Sequence, residues 1–111
     1  MEAKEIVLHA SVISFLEELT TTLYQEAYFG FLETAELYVN NLIDGIYGLL
    51  SGEGLYHTTP DALKHYGSYY TKIKSNKRTT WYVFFDKRGY RYYVQYITNN
   101  HTAQSAFLNR L

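Results

Sequence analysis

The sequence predicts an α+β fold in which an N-terminal strand and a helical hairpin pack on one face of a mostly antiparallel four-stranded sheet. Two observations lead to this prediction. Apolar residues recur at helical spacing over two long segments of the first half, and short runs rich in Val, Tyr and Thr follow one another closely in the second half. Helices that precede a run of strands usually cover one face of an antiparallel sheet. At 111 residues the chain is expected to form one domain, 1–111.

The first half contains the strand and both helices. Alternating apolar residues predict a short strand over residues 5–9. A helix follows, for which Ser11 or Ser14 is a candidate cap, and residues 29–31 interrupt it. Helical spacing then resumes over residues 32–50. The two helices are therefore expected to form an α-hairpin.

The second half contains the meander. A loop precedes three predicted strands, which span residues 68–74, 79–85 and 90–98. The middle strand is apolar on both faces, as is typical of a central strand covered on both sides. A tight turn joins the last two strands, and Gly89 can supply a positive φ there. Residues 101–111 have the spacing of a short helix, which gives the order β-α-α-β-β-β-(α).

Composition restricts the location and the chemistry. There is no cysteine, which excludes disulfides and cysteine-based zinc sites. The N-terminal stretch is too short and too charged for a signal peptide, and no apolar run approaches the roughly 20 residues of a spanning helix. We therefore expect a cytoplasmic protein that does not enter a membrane.

Charge is divided unequally between the two halves, although the net charge is only −1. Residues 1–54 contain nine acids and one base, whereas residues 55–111 contain nine bases and two acids. Such a division produces a field that can steer an anion to one face. It also allows the two halves to attract each other within one fold, and both interpretations are compatible.

Cations and tyrosines are interleaved in the basic half. Lys72, Lys74, Lys77 and Arg78 lie within seven residues, and further cations on the next hairpin are Lys87, Arg88 and Arg91. Seven tyrosines alternate with them: Tyr69, Tyr70, Tyr82, Tyr90, Tyr92, Tyr93 and Tyr96. Cations for phosphate and rings for stacking favour single-stranded RNA recognition. The alternative is that the rings mostly pack in the core of a half-buried sheet.

Other site chemistries have little support. The four histidines lack a short metal-ligand spacing, no phosphate-binding or nucleophile motif is present, and the sheet half has too few acids for a carboxylate pair. We therefore predict neither a metal nor a cofactor. General acid–base catalysis in the sheet half would depend on His, Tyr, Lys or Arg. RNA cleavage can proceed in this way, because RNA supplies its own 2′-hydroxyl nucleophile.

The chain resembles the RelE/ParE superfamily of bacterial type II toxins in three features. The element order is similar, with a strand, a helical hairpin and a meander. Residues 72–83, KIKSNKRTTWYV, resemble the lysine-bearing strand, turn and central strand of the family. Residues 92–101, YYVQYITNNH, are similar to its last strand and the polar segment that follows. The similarity extends over nearly the whole chain, but its motifs are short, so that it supports the fold better than the activity.

The resemblance implies a site and its residues. In the ribosome-dependent ribonuclease branch, cations at the positions of Lys72, Lys74 and Arg78 surround the cut phosphate, and a basic residue falls near His101. Phe107 stands near the position of a catalytic tyrosine found in some members. The candidate catalytic residues are Arg78, His101 and Lys74. The candidate RNA-binding residues are Lys72, Lys77, Arg88 and Arg91.

Three functions follow from the resemblance. The first is ribosome-dependent mRNA cleavage by a metal-independent toxin, which a cognate antitoxin protein would cover and block. The second is inhibition of DNA gyrase by protein binding, as in the ParE branch, whose long helical hairpin is similar to residues 11–51. The third is an inactive relative with a regulatory role. The basic pair and Arg78 favour the ribonuclease over the gyrase inhibitor. Oligomeric state, codon preference and antitoxin type are not predicted.

Overall fold

The fold is α+β, as predicted, and joins two helices to a five-stranded mixed sheet. A computed structural model of the protein describes residues 4–25, 32–52, 56–75, 77 and 79–101. Its helices are α1 (Ala10–Gln25) and α2 (Leu32–Ser51), and a short 3₁₀ turn covers Asp61–Leu63. Its strands are β1 (Glu5–Leu8), β2 (His57–Thr58), β3 (Tyr69–Lys74), β4 (Thr80–Arg88) and β5 (Arg91–Asn99). The strand order across the sheet is β1-β5-β4-β3-β2.

The prediction of four strands was wrong. β2 is an additional two-residue edge strand, in which His57 and Thr58 pair with Tyr70 and Tyr69 of β3. It was missed because two residues are too few to show an alternating pattern. The first strand pairs parallel with β5, while the other three pairings are antiparallel. The helical hairpin carries the chain from β1 to the far side of the sheet, so the strands on either side of it do not pair with each other.

The helices pack on one face of the sheet through a regular apolar series. In α2 the buried side chains recur every three or four residues, and they are Ala35, Val39, Leu42, Ile46 and Leu50. Val12 and Leu16 of α1 join most of them in the main core against Trp81, Val83 and Phe85 of β4. α1 begins earlier than the serine caps predict, because the His9 carbonyl accepts the N–H groups of Val12 and Ile13.

A second, smaller core lies on the other face of the sheet. Leu63 packs there with Tyr70, Tyr82 and Phe84, because residues 59–67 cross that face. Gly67 makes the close approach possible, since a Cβ atom at this position would lie 2.7 Å from the Phe85 nitrogen. β4 is therefore covered on both sides at its centre, as its apolar sequence predicts.

A register shift in β5 decides which residues face the helices. The partner of Phe84 is Tyr96, but the partner of Phe85 is Val94, so one residue of β5 is bulged out of the pairing. Without this bulge, Val94 would lie on the same face as Tyr96. The bulge instead places Val94 in the main core.

The remaining features concern the ends of elements. Gly89 has a φ of 61°, which confirms the predicted positive φ in the β4–β5 turn. The predicted C-terminal helix lies almost wholly in residues 102–111, outside the described residues. Within the ranges given above, no helix has both the length and the apolar character needed to cross a membrane.

Candidate nucleic-acid interface

Residues 59–67 cover only part of the second sheet face. The uncovered part carries two lysines. Lys72 and Lys74 of β3 are both exposed, and they lie opposite Tyr82 and Thr80 of β4. Their Cα atoms are about 7 Å apart on the same side of the strand. We call this surface the basic face and define it by Lys72, Lys74 and Thr80. Two ammonium groups at this spacing suit neighbouring phosphates.

His101 is held beside Thr79 at the end of β5, outside the basic face. Its Nε2 atom is 2.9 Å from the Thr79 hydroxyl oxygen, and its backbone N–H donates to the Asn99 side chain at 2.8 Å. The neighbouring Asn100 accepts the Thr80 N–H through its side-chain oxygen at 3.0 Å. These contacts extend the β4–β5 ladder past the last paired residues. They bring His101 to the same end of the sheet as Lys74.

The connection between β3 and β4 carries the remaining predicted cations of this cluster. Lys77 is exposed on that turn. Arg78, the predicted catalytic arginine, lies outside the described residues, as does Phe107. The turn itself is closed by the Ser75 N–H, which donates to the Thr79 carbonyl at 3.0 Å. This bond brings the end of β3 and the start of β4 together.

Arg88 and Arg91 lie at the opposite end of the sheet. They face each other across the β4–β5 turn, eight residues along β4 from Thr80, or roughly 25 Å away. Arg91 forms an ion pair with Glu5 at 3.3 Å. Its hydrogen bond to Tyr93, followed by the proximity of Tyr90, raises the pKa of the guanidinium. The structure thus separates these two predicted RNA-binding residues from Lys72, Lys74 and Lys77.

Most of the interleaved tyrosines serve the core. Tyr70, Tyr82 and Tyr92 are buried, with 5–6% of their surface exposed. Burial, and secondarily the proximity of Tyr82, raises the pKa of the Tyr70 hydroxyl, which keeps it neutral. Tyr96 is stacked on Tyr66 with ring centroids 4.3 Å apart. The core interpretation therefore holds for these rings, and Tyr90, with 40% of its surface exposed, is the exception.

A tyrosine cage around Lys87 was not predicted. The Lys87 ammonium lies 4.6 Å from the Tyr56 ring centroid, 5.4 Å from Tyr69 and 5.6 Å from Tyr92. It also donates a hydrogen bond to the Tyr56 hydroxyl, and this bond is the main reason that the pKa of Lys87 is raised. Strand alternation places Lys87 on the face opposite to Asp86, and counting along β4 could have shown this. Lys87 is therefore not part of the basic face.

A chain of hydrogen bonds joins the main core to the β3–β4 turn. Trp81 donates its indole N–H to the Tyr38 hydroxyl at 3.0 Å, and Tyr38 is 2.9 Å from the Ser75 hydroxyl. Ser75 donates in turn to the Thr79 carbonyl at 3.4 Å. Either hydroxyl can donate in the bond between Tyr38 and Ser75. Helix α2 is thereby connected to the segment that carries Lys77.

The division of charge along the sequence is also a division in space. The described side chains of α1 and α2 include Glu17, Glu18, Glu36 and Asp44 but no lysine or arginine. No group of three or more His, Asp or Glu side chains that could hold a metal ion occurs among the residues described. The basic face thus offers two lysines and a hydroxyl group, and His101 lies at the same end of the sheet.

Comparisons with known proteins gave no relatives: no protein-family model, no curated protein and no solved structure matches this chain.

Proposed function

We propose that the protein is a toxin-like endoribonuclease of the RelE/ParE kind, which cleaves mRNA on the ribosome. The observation that carries the proposal is the placement of His101, hydrogen-bonded to Thr79, at the end of the sheet where Lys72 and Lys74 are exposed. A histidine at the same end of the sheet as exposed ammonium groups supplies a proton-transfer group together with anion stabilisation. The order of a strand, a helical hairpin and a meander further supports the proposal.

The chemistry needs only these residue types. A neutral His101 accepts the proton of the RNA 2′-hydroxyl, and the 2′-oxygen forms a bond to the adjacent phosphorus. The bond from phosphorus to the 5′-oxygen then breaks, and that oxygen takes a proton from solvent. Lys72 and Lys74 stabilise the charge that develops on the phosphorane oxygens. Arg78, by resemblance, adds a third cation. The products are a 2′,3′-cyclic phosphate and a 5′-hydroxyl.

The basic face would also explain how an antitoxin inhibits the ribonuclease. An antitoxin with an acidic segment could pair with Lys72 and Lys74 and displace RNA, because both ligands are polyanions. The ribosomal target implies action in the cytoplasm. Both statements belong to the proposal and depend on the same two lysines.

The test is induced expression in a bacterial host, with growth and the 5′ ends of messages followed together. We expect growth arrest with new 5′ ends inside coding regions. Arg78→Ala and His101→Ala should restore growth, whereas the control Lys64→Ala should not, since Lys64 is an exposed lysine that pairs with Asp61 away from the basic face. Continued growth of cells that accumulate the folded wild-type protein would contradict the proposal.

A second candidate is a gyrase inhibitor of the ParE kind. It is favoured by apolar side chains exposed on the helical hairpin: Ile13 is 43% exposed, Leu37 59% and Tyr47 41%. Exposed apolar side chains contribute to many protein-binding surfaces. The same expression experiment separates the two candidates. DNA damage with intact messages would support gyrase binding, and cleaved messages with intact DNA would support the ribonuclease.

A further inference from the structure

A groove of about 260 Å³ lies between α2 and the end of β3. We call it the α2–β3 groove. Its lining residues are Tyr38, Asn41, Leu42, Ile73, Lys74 and Ser75. It lies next to the part of β3 beyond Tyr69 and Tyr70, the two residues with which β2 pairs.

The groove exists because α2 and β3 approach closely at one point and separate beyond it. At Gly45 the helix lies so near β3 that an added Cβ atom would be 3.7 Å from the Ile73 side chain. One turn earlier in α2, Asn41 is exposed. The space between Asn41 and Ser75 is the groove.

The lining combines three kinds of group. Leu42 and Ile73 form an apolar floor, and Leu42 is 4% exposed. Asn41 adds an exposed amide that both donates and accepts hydrogen bonds, which matches the edge of a nucleobase. Lys74 lines the groove at the edge of the sheet, and its exposed ammonium lies on the adjoining basic face, where it suits a phosphate. An apolar floor with a few convergent polar groups is typical of a small-ligand site.

We infer that the α2–β3 groove binds one unpaired nucleotide of single-stranded RNA, with its base edge on Asn41 and its phosphate on Lys74. The inference rests on the proposed function, because Lys74 belongs to both the basic face and the groove. An RNA strand that crosses the basic face meets the groove where it passes the sheet edge. Sequence preference next to the cut would then come from Asn41, while the lysines contribute affinity that does not depend on sequence.

The protein contains its own reporter for this groove. Trp81 is the only tryptophan, and its indole N–H donates to Tyr38, which lines the groove. Tyr38 is in turn hydrogen-bonded to Ser75 in the same lining. A ligand that contacts either hydroxyl changes the hydrogen bonding of Tyr38, the acceptor of the indole proton. The single indole N–H resonance of the protein labelled with ¹⁵N-tryptophan should therefore respond to binding.

The experiment is a titration of the full chain with adenosine 5′-monophosphate, followed by the Trp81 indole resonance. We expect a saturable shift, which Asn41→Leu weakens by about tenfold, the loss typical of a good amide–base contact. Asn40→Leu is the matched control, because Asn40 is also exposed on α2 but lines a different groove. It should leave the titration unchanged.

Two results would overturn the inference. One is a wild-type shift that does not saturate or that Asn41→Leu leaves unaltered. The other is an equal shift with inorganic phosphate alone, because base contact would then contribute nothing. Failure of the proposed function has a different outcome: messages stay uncut in expressing cells while adenosine 5′-monophosphate still moves the Trp81 resonance. That result would retain the nucleotide site and reject the ribonuclease.

Discussion

Trp81 and Tyr38 are joined by a 3.0 Å hydrogen bond from the indole N–H to the phenol oxygen. Trp81 is 2% exposed and belongs to the main core, whereas Tyr38 is half-buried on α2. The bond fixes the position of α2 relative to the centre of the sheet. Through Ser75, it also connects the core to the turn beside the basic face.

Tyr38→Phe should destabilise the protein by about 1–3 kcal/mol, because the buried Trp81 N–H loses its acceptor. Urea unfolding followed by far-UV circular dichroism measures this change. Tyr47→Phe is the control, because Tyr47 lies on the same helix and is 41% exposed. It should change the free energy of unfolding by less than about 0.5 kcal/mol. Equal effects of the two changes would show that the Trp81–Tyr38 bond contributes nothing.

Two Gly→Ala changes should shift the free energy of unfolding in opposite directions. At Gly67 a methyl group would lie 2.7 Å from the Phe85 nitrogen, so Gly67→Ala should cost about 1–3 kcal/mol through overpacking. At Gly48, within α2, nothing lies within 4 Å of the added carbon. Gly48→Ala should therefore stabilise the protein by about 0.5–1 kcal/mol through helix propensity. Thermal unfolding of both variants tests the pair, and a stabilised Gly67→Ala protein would refute the close packing of residues 59–67 on the sheet.

The Lys87 cage should make the free energy of unfolding decrease as the pH becomes alkaline. The pKa of Lys87 is raised, mainly by the bond to Tyr56, so the folded state retains this proton more strongly than the unfolded state does. The resulting stabilisation is complete below the unfolded lysine pKa of about 10.4 and is lost as pH rises through the higher folded value.

Lys87→Met removes this contribution. At pH 8 the free energy of unfolding of wild type should exceed that of Lys87→Met by about 1 kcal/mol, as expected for a cation over tyrosine rings. This difference should shrink above pH 10. Denaturant unfolding at a series of pH values gives both free energies. Lys64→Met, on an exposed lysine outside the cage, should differ from wild type by a nearly constant amount. A wild-type advantage over Lys87→Met that grows with pH would contradict the prediction.

Lys74→Ala should reduce the salt dependence of RNA binding. Each phosphate contact with a single strand contributes about 0.7 to the slope of log affinity against log salt concentration. Loss of Lys74 should lower the slope by about that amount, whereas Lys64→Ala should leave it unchanged. Binding of a fluorescently labelled single-stranded oligoribonucleotide at several salt concentrations measures both slopes. If Arg88→Ala lowered the slope as much as Lys74→Ala, RNA would also reach the far end of the sheet.

The fold class could be predicted because its signals are local. Helical periodicity gave residues 32–50 for α2, against the observed Leu32–Ser51, and alternation gave residues 68–74 for β3, against Tyr69–Lys74. The extra strand β2 was missed because its two residues pair only once β3 lies beside them. The position of His101 beside Thr79 follows from strand pairing across 22 residues, which no local pattern specifies.

The sequence alone determined both helices and the four longer strands, their approximate bounds and the gathering of the cations in the second half, because each depends on residue type and short-range spacing. The tertiary structure decided which cations share a surface. The β4–β5 pairing puts Arg88 and Arg91 at one end of the sheet, while the ends of β3 and β5 bring Lys74 and His101 to the other. It also decided the role of the tyrosines, because a one-residue bulge in β5 changes which of its side chains face the core.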